Sequence, residues 1–138
     1  RLQFRIARED LLGGLYRKEE SAVANPSNSS QPAKPHRMSL LLWFARTSLI
    51  RQGLIQVGPV GDSLTSTGTT EARNLVRSHR LWESYMARHF DLPDDHLHAT
   101  AEDVEHFLGP ELQAELAAEL DQPTTDPHGK TIPHGSEN

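Results

Sequence analysis

The sequence predicts a mainly α-helical protein with one small β-hairpin. Apolar residues recur at helical spacing over several stretches of the 138 residues, and this period is the main sequence signal for amphipathic helices. Two short apolar runs around a Gly-Pro turn lie between two of the predicted helices, which is the pattern of a hairpin. A helix, a hairpin and a further helix in this order predict a winged helix, and a helical domain follows it.

The first predicted domain, residues 1–70, is a degenerate winged helix. A helix over 5–20 carries an apolar stripe made mainly of leucines. Residues 21–38 are predicted to be a loop, because Pro, Ser and Asn dominate them and no apolar period is present. A second helix over 38–52 follows, with Ser39 as its N-cap.

The second helix and the hairpin after it complete the winged helix. Residues 40–44 are apolar on all sides of the helix, so we expect more than one of its faces to be covered. Strands over 54–57 and 63–65 flank a turn over 58–62.

The second predicted domain, residues 71–122, is helical, and an irregular tail over 123–138 follows it. Its long first helix runs over 70–90 and a short one over 100–107. The last helix runs over 110–120 and begins at a proline, which suits the first turn of a helix.

Composition and charge limit the class of protein. The chain has no cysteine, which excludes disulfides and thiolate zinc sites, and no apolar run approaches the roughly 20 residues that span a bilayer. Residues 91–121 contain ten acidic residues and no Lys or Arg, whereas residues 34–88 are basic. This asymmetry predicts a first part that contacts an anionic partner and a second part that attracts cations.

Imidazole and carboxylate side chains recur at helical spacing in the second predicted domain. Residues three and four apart share one face of a helix, and carboxylates held at that spacing repel each other unless a cation lies between them. Imidazole and carboxylate without thiol suit Mn²⁺ or Fe²⁺ ahead of Zn²⁺. The candidate ligands are His79, Glu83, His98, Glu102, Glu105 and His106.

Two simpler interpretations remain open for these residues. A single histidine on an apolar stripe, such as His79, is more often a hydrogen-bonded core residue, and acidic residues at helical spacing are common on exposed helices. The remaining histidines are expected to face solvent or to belong to the tail, and they include His89, His96, His128 and His134.

Several motifs resemble one known family. The most specific are 76–83, which reads Val-Arg-Ser-His-Arg-Leu-Trp-Glu, and 98–106; shorter ones lie at 8–20, 51–55, 64–68 and 127–133. Together they are similar to the diphtheria toxin repressor and manganese transport regulator family, also called the iron-dependent repressor family. The resemblance implies a winged helix followed by a metal-binding and dimerisation domain.

The resemblance also implies a set of metal ligands. One site would consist of Asp10, Glu102, Glu105 and His106, and a neighbouring site of His79, Glu83 and His98. Carboxylates at Asp10 and Glu102, where iron-sensing members have Met and Cys, look like the manganese branch. Gly13, however, stands where that branch has a second acidic ligand, so Mn²⁺, Fe²⁺ and Zn²⁺ all remain open.

A homodimer is the partner that the resemblance implies. Its contact surface and core would come from the large apolar residues of the second domain, namely Trp82, Tyr85, Phe90, Phe107, Leu112 and Leu116.

DNA reading in this family uses the second helix of a helix-turn-helix. In this chain the first helix of that pair is replaced by the loop, and residues 40–44 (Leu-Leu-Leu-Trp-Phe) occupy the recognition position. These side chains lack the hydrogen-bonding groups that read base edges, apart from the indole N–H, and they predict a protein or membrane contact instead. Arg37, Arg46 and Arg51 are the candidates for phosphate contacts, which position a protein without selecting a sequence.

A second resemblance leads to the predicted function. The chain looks like the cytosolic C-terminal domain of a bacterial manganese, zinc or iron ABC transporter permease, and its Arg-rich opening suits a segment leaving a membrane on the cytoplasmic side. The predicted function is therefore a metal-responsive sensor tail whose partner is the transporter's membrane domain. The alternative is a cytoplasmic, metal-dependent DNA-binding repressor of metal uptake. An enzyme or a small-molecule substrate is not expected, because no nucleophile or substrate pocket is indicated.

Overall fold

The structure is a computed structural model that describes residues 1–25, 39–91 and 93–135, except for the side chains at 94, 95 and 99. Within those ranges it contains five α-helices and one two-stranded antiparallel sheet, which confirms the predicted fold class. In chain order they are α1 (Leu2–Ala24), α2 (Leu40–Arg51), β1 (Ile55–Gly58), β2 (Gly61–Leu64), α3 (Ser66–His89), α4 (Asp94–Val104) and α5 (Pro110–Glu119).

The chain divides into two compact units, Arg1–Ala72 and Arg73–Asn138. The first contains α1, α2 and the hairpin, the second contains α4 and α5, and α3 begins in the first and continues in the second. Among the helices of the described ranges, none combines the length and the apolar character that crossing a membrane requires.

The core of the first unit lies between α1, α2 and the hairpin. Its buried apolar residues are Ala7, Leu12, Ala45, Leu49, Leu54, Ile55 and Leu64, together with Ala72 on α3. A polar contact adds to this packing, because Leu64 N donates to Glu19 Oε1 at 2.9 Å and ties β2 to α1.

Helix α1 extends beyond the predicted helix over 5–20 at both ends. Residues 21–24, which the sequence assigns to a loop, form its last turn, so this part of the prediction is wrong. Two of these four residues are alanine, which favours helix, and the first helix-breaking residue is Pro26. The remainder of the predicted loop, 26–38, lies outside the described residues.

Helix α2 is apolar on two opposite faces but buries only one of them against its described neighbours. Its predicted N-cap is confirmed, because the Ser39 hydroxyl accepts a hydrogen bond from the backbone N–H three residues later at 3.3 Å. Ala45 and Leu49 are completely buried, whereas Leu40 is 77% and Phe44 55% exposed. The expectation that more than one face would be covered is therefore not met by the described residues.

The hairpin forms as predicted, with a tighter turn. Its strands pair from Ile55 opposite Leu64 to Gly58 opposite Gly61, so only two residues make the turn rather than the predicted 58–62. A two-residue connection is the commonest kind in hairpins, and Gly61 at φ 118° adopts a conformation that glycine tolerates.

Helix α3 begins at Ser66, four residues before the predicted helix over 70–90. Thr65 caps this earlier start, because its hydroxyl accepts a hydrogen bond from Gly68 N at 3.0 Å. Gly68 also allows the helix to approach the hairpin closely, since a Cβ atom there would lie 1.9 Å from the Leu54 carbonyl oxygen. The cap and this close approach together place the first turn of α3 against the backbone of Leu54, the residue before β1.

The second unit packs α3 against α5 and the C-terminal segment. One apolar cluster of this unit consists of Leu81, Ala117, Leu120 and Ile132, with Tyr85 against it. Residues 123–135, predicted as an irregular tail, contain no helix or strand but contribute Ile132 to this core. An isolated β-bridge between Thr125 and Thr131 closes the segment into a turn.

Helix α4 differs from the predicted helix over 100–107. It begins at Asp94 and ends at Val104. Thr100, at which the helix was predicted to begin, lies inside it, and its hydroxyl donates to backbone carbonyl oxygens of the preceding turn. His98 is therefore a helical residue on α4, rather than a residue just before a helix.

We expect Gly68→Ala to destabilise the protein by about 1–3 kcal/mol, since the added methyl group meets a backbone carbonyl that cannot move aside easily. Urea denaturation followed by circular dichroism measures the change. Gly14→Ala is the matched control, because its Cβ would meet nothing within 4 Å and alanine favours a helix by about 1 kcal/mol over glycine. Equal effects of the two substitutions would contradict the close approach of α3 and β1.

Candidate metal centre

Three donor atoms from α3 and α4 converge in the second unit. His79 Nε2 lies 3.2 Å from Glu83 Oε1 and 3.0 Å from His98 Nδ1, and His98 Nδ1 lies 3.0 Å from Glu83 Oε1. His79 and Glu83 reach the same point because they are four residues apart on α3. The earlier start of α4 brings His98 to that point from a second helix.

The cluster is buried on the α3 side and open on the α4 side. Glu83 is 2% and His79 3% exposed, whereas the side chain of His98 is 52% exposed. A carboxylate as deeply buried as Glu83 is unfavourable unless a cation or hydrogen-bond donors compensate it. A ligand from solvent would reach the donors past His98.

Glu105 supports this cluster from behind His79. Its Oε2 lies within hydrogen-bond distance of His79 Nδ1, and it is 3% exposed. A carboxylate on Nδ1 leaves Nε2 to face the cluster, which is how histidine ligands of metals are usually oriented. The family resemblance implied that Glu105 is a ligand of the other site. In the structure its carboxylate is also the hydrogen-bond partner that orients His79.

A buried polar network fixes the chain just after α4, where Glu105 lies. The Gln113 side-chain amide donates to Ser78 Oγ at 2.7 Å and to the Leu108 carbonyl oxygen at 3.2 Å. Ser78 Oγ is also 3.3 Å from the same carbonyl. Since Ser78 precedes His79 on α3, the network holds the chain around 105–108 beside the face of that helix that carries His79 and Glu83.

His128 is the site residue that the sequence prediction missed. It was expected to face solvent or to belong to the tail, but its Nε2 lies 3.6 Å from Glu83 Oε1. A histidine in a segment without periodicity gives no spacing signal. The motif over 127–133, which includes Pro127-His128-Gly129, was the only indication in the sequence.

The turn that carries His128 is anchored to α3. Asp126 Oδ1 accepts hydrogen bonds from the backbone N–H groups of His128 at 2.9 Å and Lys130 at 2.8 Å. Arg80 Nη1 donates to the Thr131 carbonyl oxygen at 2.6 Å, and Arg80 Nε lies 3.7 Å from Asp126 Oδ2. Arg80 and Asp126 are both buried, so this ion pair sets the position of the turn.

The remaining predicted ligands lie around this centre or in the other unit. Glu102 has a 62% exposed side chain, with Oε1 3.3 Å from His98 Nε2. His106 is partly buried in the chain after α4, and Asp10 is exposed on α1. Helix α4 ends at Val104 with Glu105 as its C-cap in helical conformation, and His106 lies in the turn that follows. The grouping of Glu102, Glu105 and His106 with Asp10 stays a prediction.

The electrostatics of the cluster couple His79 to the carboxylates. Burial by itself lowers the pKa of His79, but hydrogen bonds and charge from Glu105 and Glu83 outweigh it, and the pKa is raised above 6.5. Burial by itself raises the pKa of Glu83. Hydrogen bonds from His79 and His98, with the charges of His79 and His128, outweigh that effect and lower its pKa to about 2.

The donor set fits a transition metal ion. Two imidazole nitrogens and a carboxylate oxygen lie about 3 Å from one another, so their lone pairs point into the same small space. Nitrogen and oxygen donors without sulfur suit Mn²⁺, Fe²⁺ and Zn²⁺, and the three residues form a candidate ligand group.

The predicted phosphate contacts are placed differently. Arg46 points inward, where its Nε and Nη2 bind both carboxylate oxygens of Asp62 at 2.5 and 2.7 Å and tie α2 to β2. Arg51 is exposed at the end of α2, and Arg37 lies outside the described residues. Leu40 and Trp43 are exposed on α2, which fits the apolar contact surface predicted there.

Comparison with known proteins extends over most of the chain. Residues 65–134 match the family described as iron dependent repressor, metal binding and dimerisation domain. Over 90 residues the chain is 41% identical to a "Probable metal transport system membrane protein" of Chlamydia trachomatis, a match that covers 65% of this chain and 20% of that protein. It is also 36% identical over 86 residues to the iron-dependent repressor IdeR of Mycobacterium bovis, which covers 60% of this chain and 36% of that one.

A solved structure agrees with the fold. A manganese-dependent transcriptional repressor in complex with manganese is 26% identical, with a TM-score of 0.70, and the match covers 92% of this chain and 58% of that one. The chain spans about a fifth of the length of the chlamydial protein and about a third of the length of the repressor IdeR. These matches confirm the predicted fold and family resemblance.

We expect the metal-free protein to lose stability on both sides of a pH window. The raised pKa of His79 stabilises the fold fully below 6.5, and this contribution is lost as pH rises through the raised value. The lowered pKa of Glu83 stabilises the fold above 4.5, and this contribution is lost as pH falls towards about 2. Urea midpoints measured across this range in chelator-treated protein test it.

Glu83→Gln should flatten both arms of this profile, because it removes the carboxylate that the two effects share. His134→Gln, which removes an exposed histidine outside the cluster, should leave the profile as it is. A wild-type profile that shows no loss of stability at either high or low pH would refute the coupling of His79 and Glu83.

Proposed function

Because the chain belongs to the family of the iron-dependent repressor metal-binding and dimerisation domain, we propose that it is a metal-dependent regulator. His79, Glu83 and His98 hold a divalent transition metal ion, with Mn²⁺ or Fe²⁺ preferred and Zn²⁺ accepted. The observation that carries the proposal is the convergence of their three donor atoms, one of which belongs to the buried carboxylate of Glu83. When bound, the ion supplies the positive charge that the buried Glu83 otherwise takes from protonated histidine.

The other residues near this centre have supporting roles. Glu105 orients His79 through Nδ1, and His128 lies within reach of the same Glu83 oxygen from the opposite side. We further propose a second site formed by Asp10, Glu102, Glu105 and His106, which rests on the family resemblance and on the acidic character of these positions.

Transcriptional repression is the output that the relatives favour. The iron-dependent repressor IdeR and the manganese-dependent transcriptional repressor are both similar to this chain over more than half of its length. The first unit has nine Arg and Lys against six Asp and Glu, a net charge of +3, which suits contact with a phosphate backbone. In this proposal the metal-loaded regulator binds DNA and represses metal uptake.

A role as the sensor domain of a metal transport system is the second candidate. The identity to the chlamydial transport protein is higher than that to the repressor, 41% against 36%. The exposed apolar side chains of α2, Leu40, Trp43 and Phe44, also suit a protein partner better than base edges. In this proposal the metal centre reports cytosolic metal to the transporter.

Either output involves a homodimer. Phe90, Phe107 and Leu112 of the second unit are 51%, 61% and 42% exposed, which is unfavourable for large apolar side chains in water. Leu116, predicted with them, is buried in the protomer at 5%. The exposed three are the proposed centre of the dimer contact.

We expect Glu83→Gln to abolish the high-affinity binding of Mn²⁺, Fe²⁺ and Zn²⁺ in calorimetric titrations, because it removes the shared carboxylate. Glu105→Gln should weaken binding by about 10–100-fold, as is usual when the partner of a ligating histidine is lost. Glu111→Gln, which removes an exposed carboxylate on α5, should leave affinity unchanged. Asp10→Asn should remove one binding event if the second site exists.

Undiminished affinity in Glu83→Gln would show that the ion binds elsewhere and would overturn the assignment of the centre. If wild type binds none of the three ions, then the cluster is a hydrogen-bonded structural element.

A gel-shift assay separates the two outputs. Duplexes selected from a random library should be retained by the metal-loaded protein only, with affinity falling as salt rises. Arg51→Gln should weaken retention, whereas Lys18→Gln, an equal charge change on α1, should have less effect. Retention that is absent or independent of metal would contradict repression and leave the transporter-sensor role.

A further inference from the structure

A cavity of about 600 Å³ lies in the second unit, away from the metal-binding donors. Its walls come from α3, from α5 and from the C-terminal segment that follows them, and its volume falls in the range of small-molecule sites in proteins. The lining residues that matter below are Arg73, Arg77, Thr124, Thr131, His134 and Gly135.

The charge of this cavity is opposite to that of the unit around it. The second unit has five Arg and Lys against thirteen Asp and Glu, a net charge of −8. Two of those five cations, Arg73 and Arg77, line the cavity, whereas its described lining contains no Asp or Glu. Such segregation is unexpected for a solvated surface, where opposite charges are normally interspersed.

The two guanidinium groups lack a carboxylate partner among the described residues. Arg77 is partly buried, and its Nη1 donates to the Pro133 carbonyl oxygen at 2.6 Å. That bond fixes the direction of the side chain without neutralising its charge. Arg73, four residues earlier on α3, lies on the same helical face. Arg73 is exposed, whereas a partly buried cation such as Arg77 is unfavourable without a counter-charge, so Arg77, with Arg73 beside it, is suited to an anion from solution.

The C-terminal segment runs close to Arg77 at Gly135. A Cβ atom there would lie 3.5 Å from Arg77 Nε, an ordinary van der Waals distance, so a large side chain at this position would fill space beside the guanidinium. The hydroxyl groups of Thr124 and Thr131 and the imidazole of His134 add hydrogen-bonding groups to the same cavity. Guanidinium groups with neutral donors beside them are the usual recognition elements for carboxylate and phosphate.

We propose that this cavity binds a small oxyanion ligand, a molecule that carries phosphate or carboxylate groups, between Arg73 and Arg77. The inference does not rest on the proposed function, since it uses neither the metal-binding donors nor the first unit. The oxyanion would be a second ligand of the second unit. It would bind along α3, the helix that also carries His79 and Glu83.

The test is a calorimetric titration of the full chain, freed of metal by dialysis, with inorganic phosphate and separately with citrate. We expect saturable binding of at least one probe, and the probe that binds identifies the chemical group recognised. Arg73→Gln/Arg77→Gln should weaken binding by about tenfold or more, because hydrogen bonds between charged groups are lost. Arg88→Gln/Lys130→Gln removes the same charge outside the cavity and should change affinity less than about twofold.

A second variant guards against misfolding of the double arginine variant. Gly135→Leu keeps every charge and fills the space against Arg77, so it should also weaken binding, with circular dichroism confirming that the fold is intact. Saturable binding of neither probe at millimolar concentrations would overturn the proposal, as would an equal loss in the control variant. Binding of duplex DNA alone, lost with Arg73 and Arg77, would overturn it in favour of a nucleic-acid phosphate contact.

Discussion

The second unit depends on the burial of one carboxylate. Glu83 is almost inaccessible to solvent, and an ionised carboxylate is tolerated there only because nitrogen donors surround it. His79 comes from the preceding turn of α3, His98 from α4 and His128 from the C-terminal turn. Three separate segments are therefore packed so that each brings an imidazole to the same oxygen.

Local spacing predicted the parts of this centre that one helix supplies. His79 and Glu83 share a face of α3 because they are four residues apart, and the sequence is sufficient to infer that. His98 was predicted as a ligand, but its helix was predicted to begin at residue 100, whereas α4 begins at Asp94. Helix α4 ends at Val104, with Glu105 as its C-cap, and the grouping of Glu102, Glu105 and His106 as ligands of one ion stays a prediction.

Contacts between segments were beyond the sequence signals. His128 reaches the centre only because Asp126 and Arg80 hold its turn in place, and no periodicity marks such a turn. The early start of α3 likewise depends on a tertiary fit, since Gly68 has to meet the carbonyl of Leu54. The winged-helix architecture, in contrast, followed from hydrophobic period and turn residues, which are local.

The two units differ in how closely they follow the family pattern. The second presents a buried donor set of the kind that the family resemblance implied. In the first unit, α2 exposes apolar side chains where the family resemblance places the recognition helix. The Arg46 guanidinium is paired with the Asp62 carboxylate inside the unit. The relatives themselves divide between a repressor and a transport protein, and the part they share with this chain is a minor fraction of each. A common metal domain joined to different outputs accounts for both observations.

The order of the donors along the chain has a consequence for the lifetime of the protein. His98 lies 15 residues from Glu83 and 19 from His79, so a bound ion closes loops that an unfolding chain would have to open. Cross-links of this kind slow local opening, and ligand binding shifts the population away from open forms that proteases cut. With an ion held at the proposed centre, metal supply would then set how long each molecule survives, and the abundance of the protein would reflect recent metal exposure.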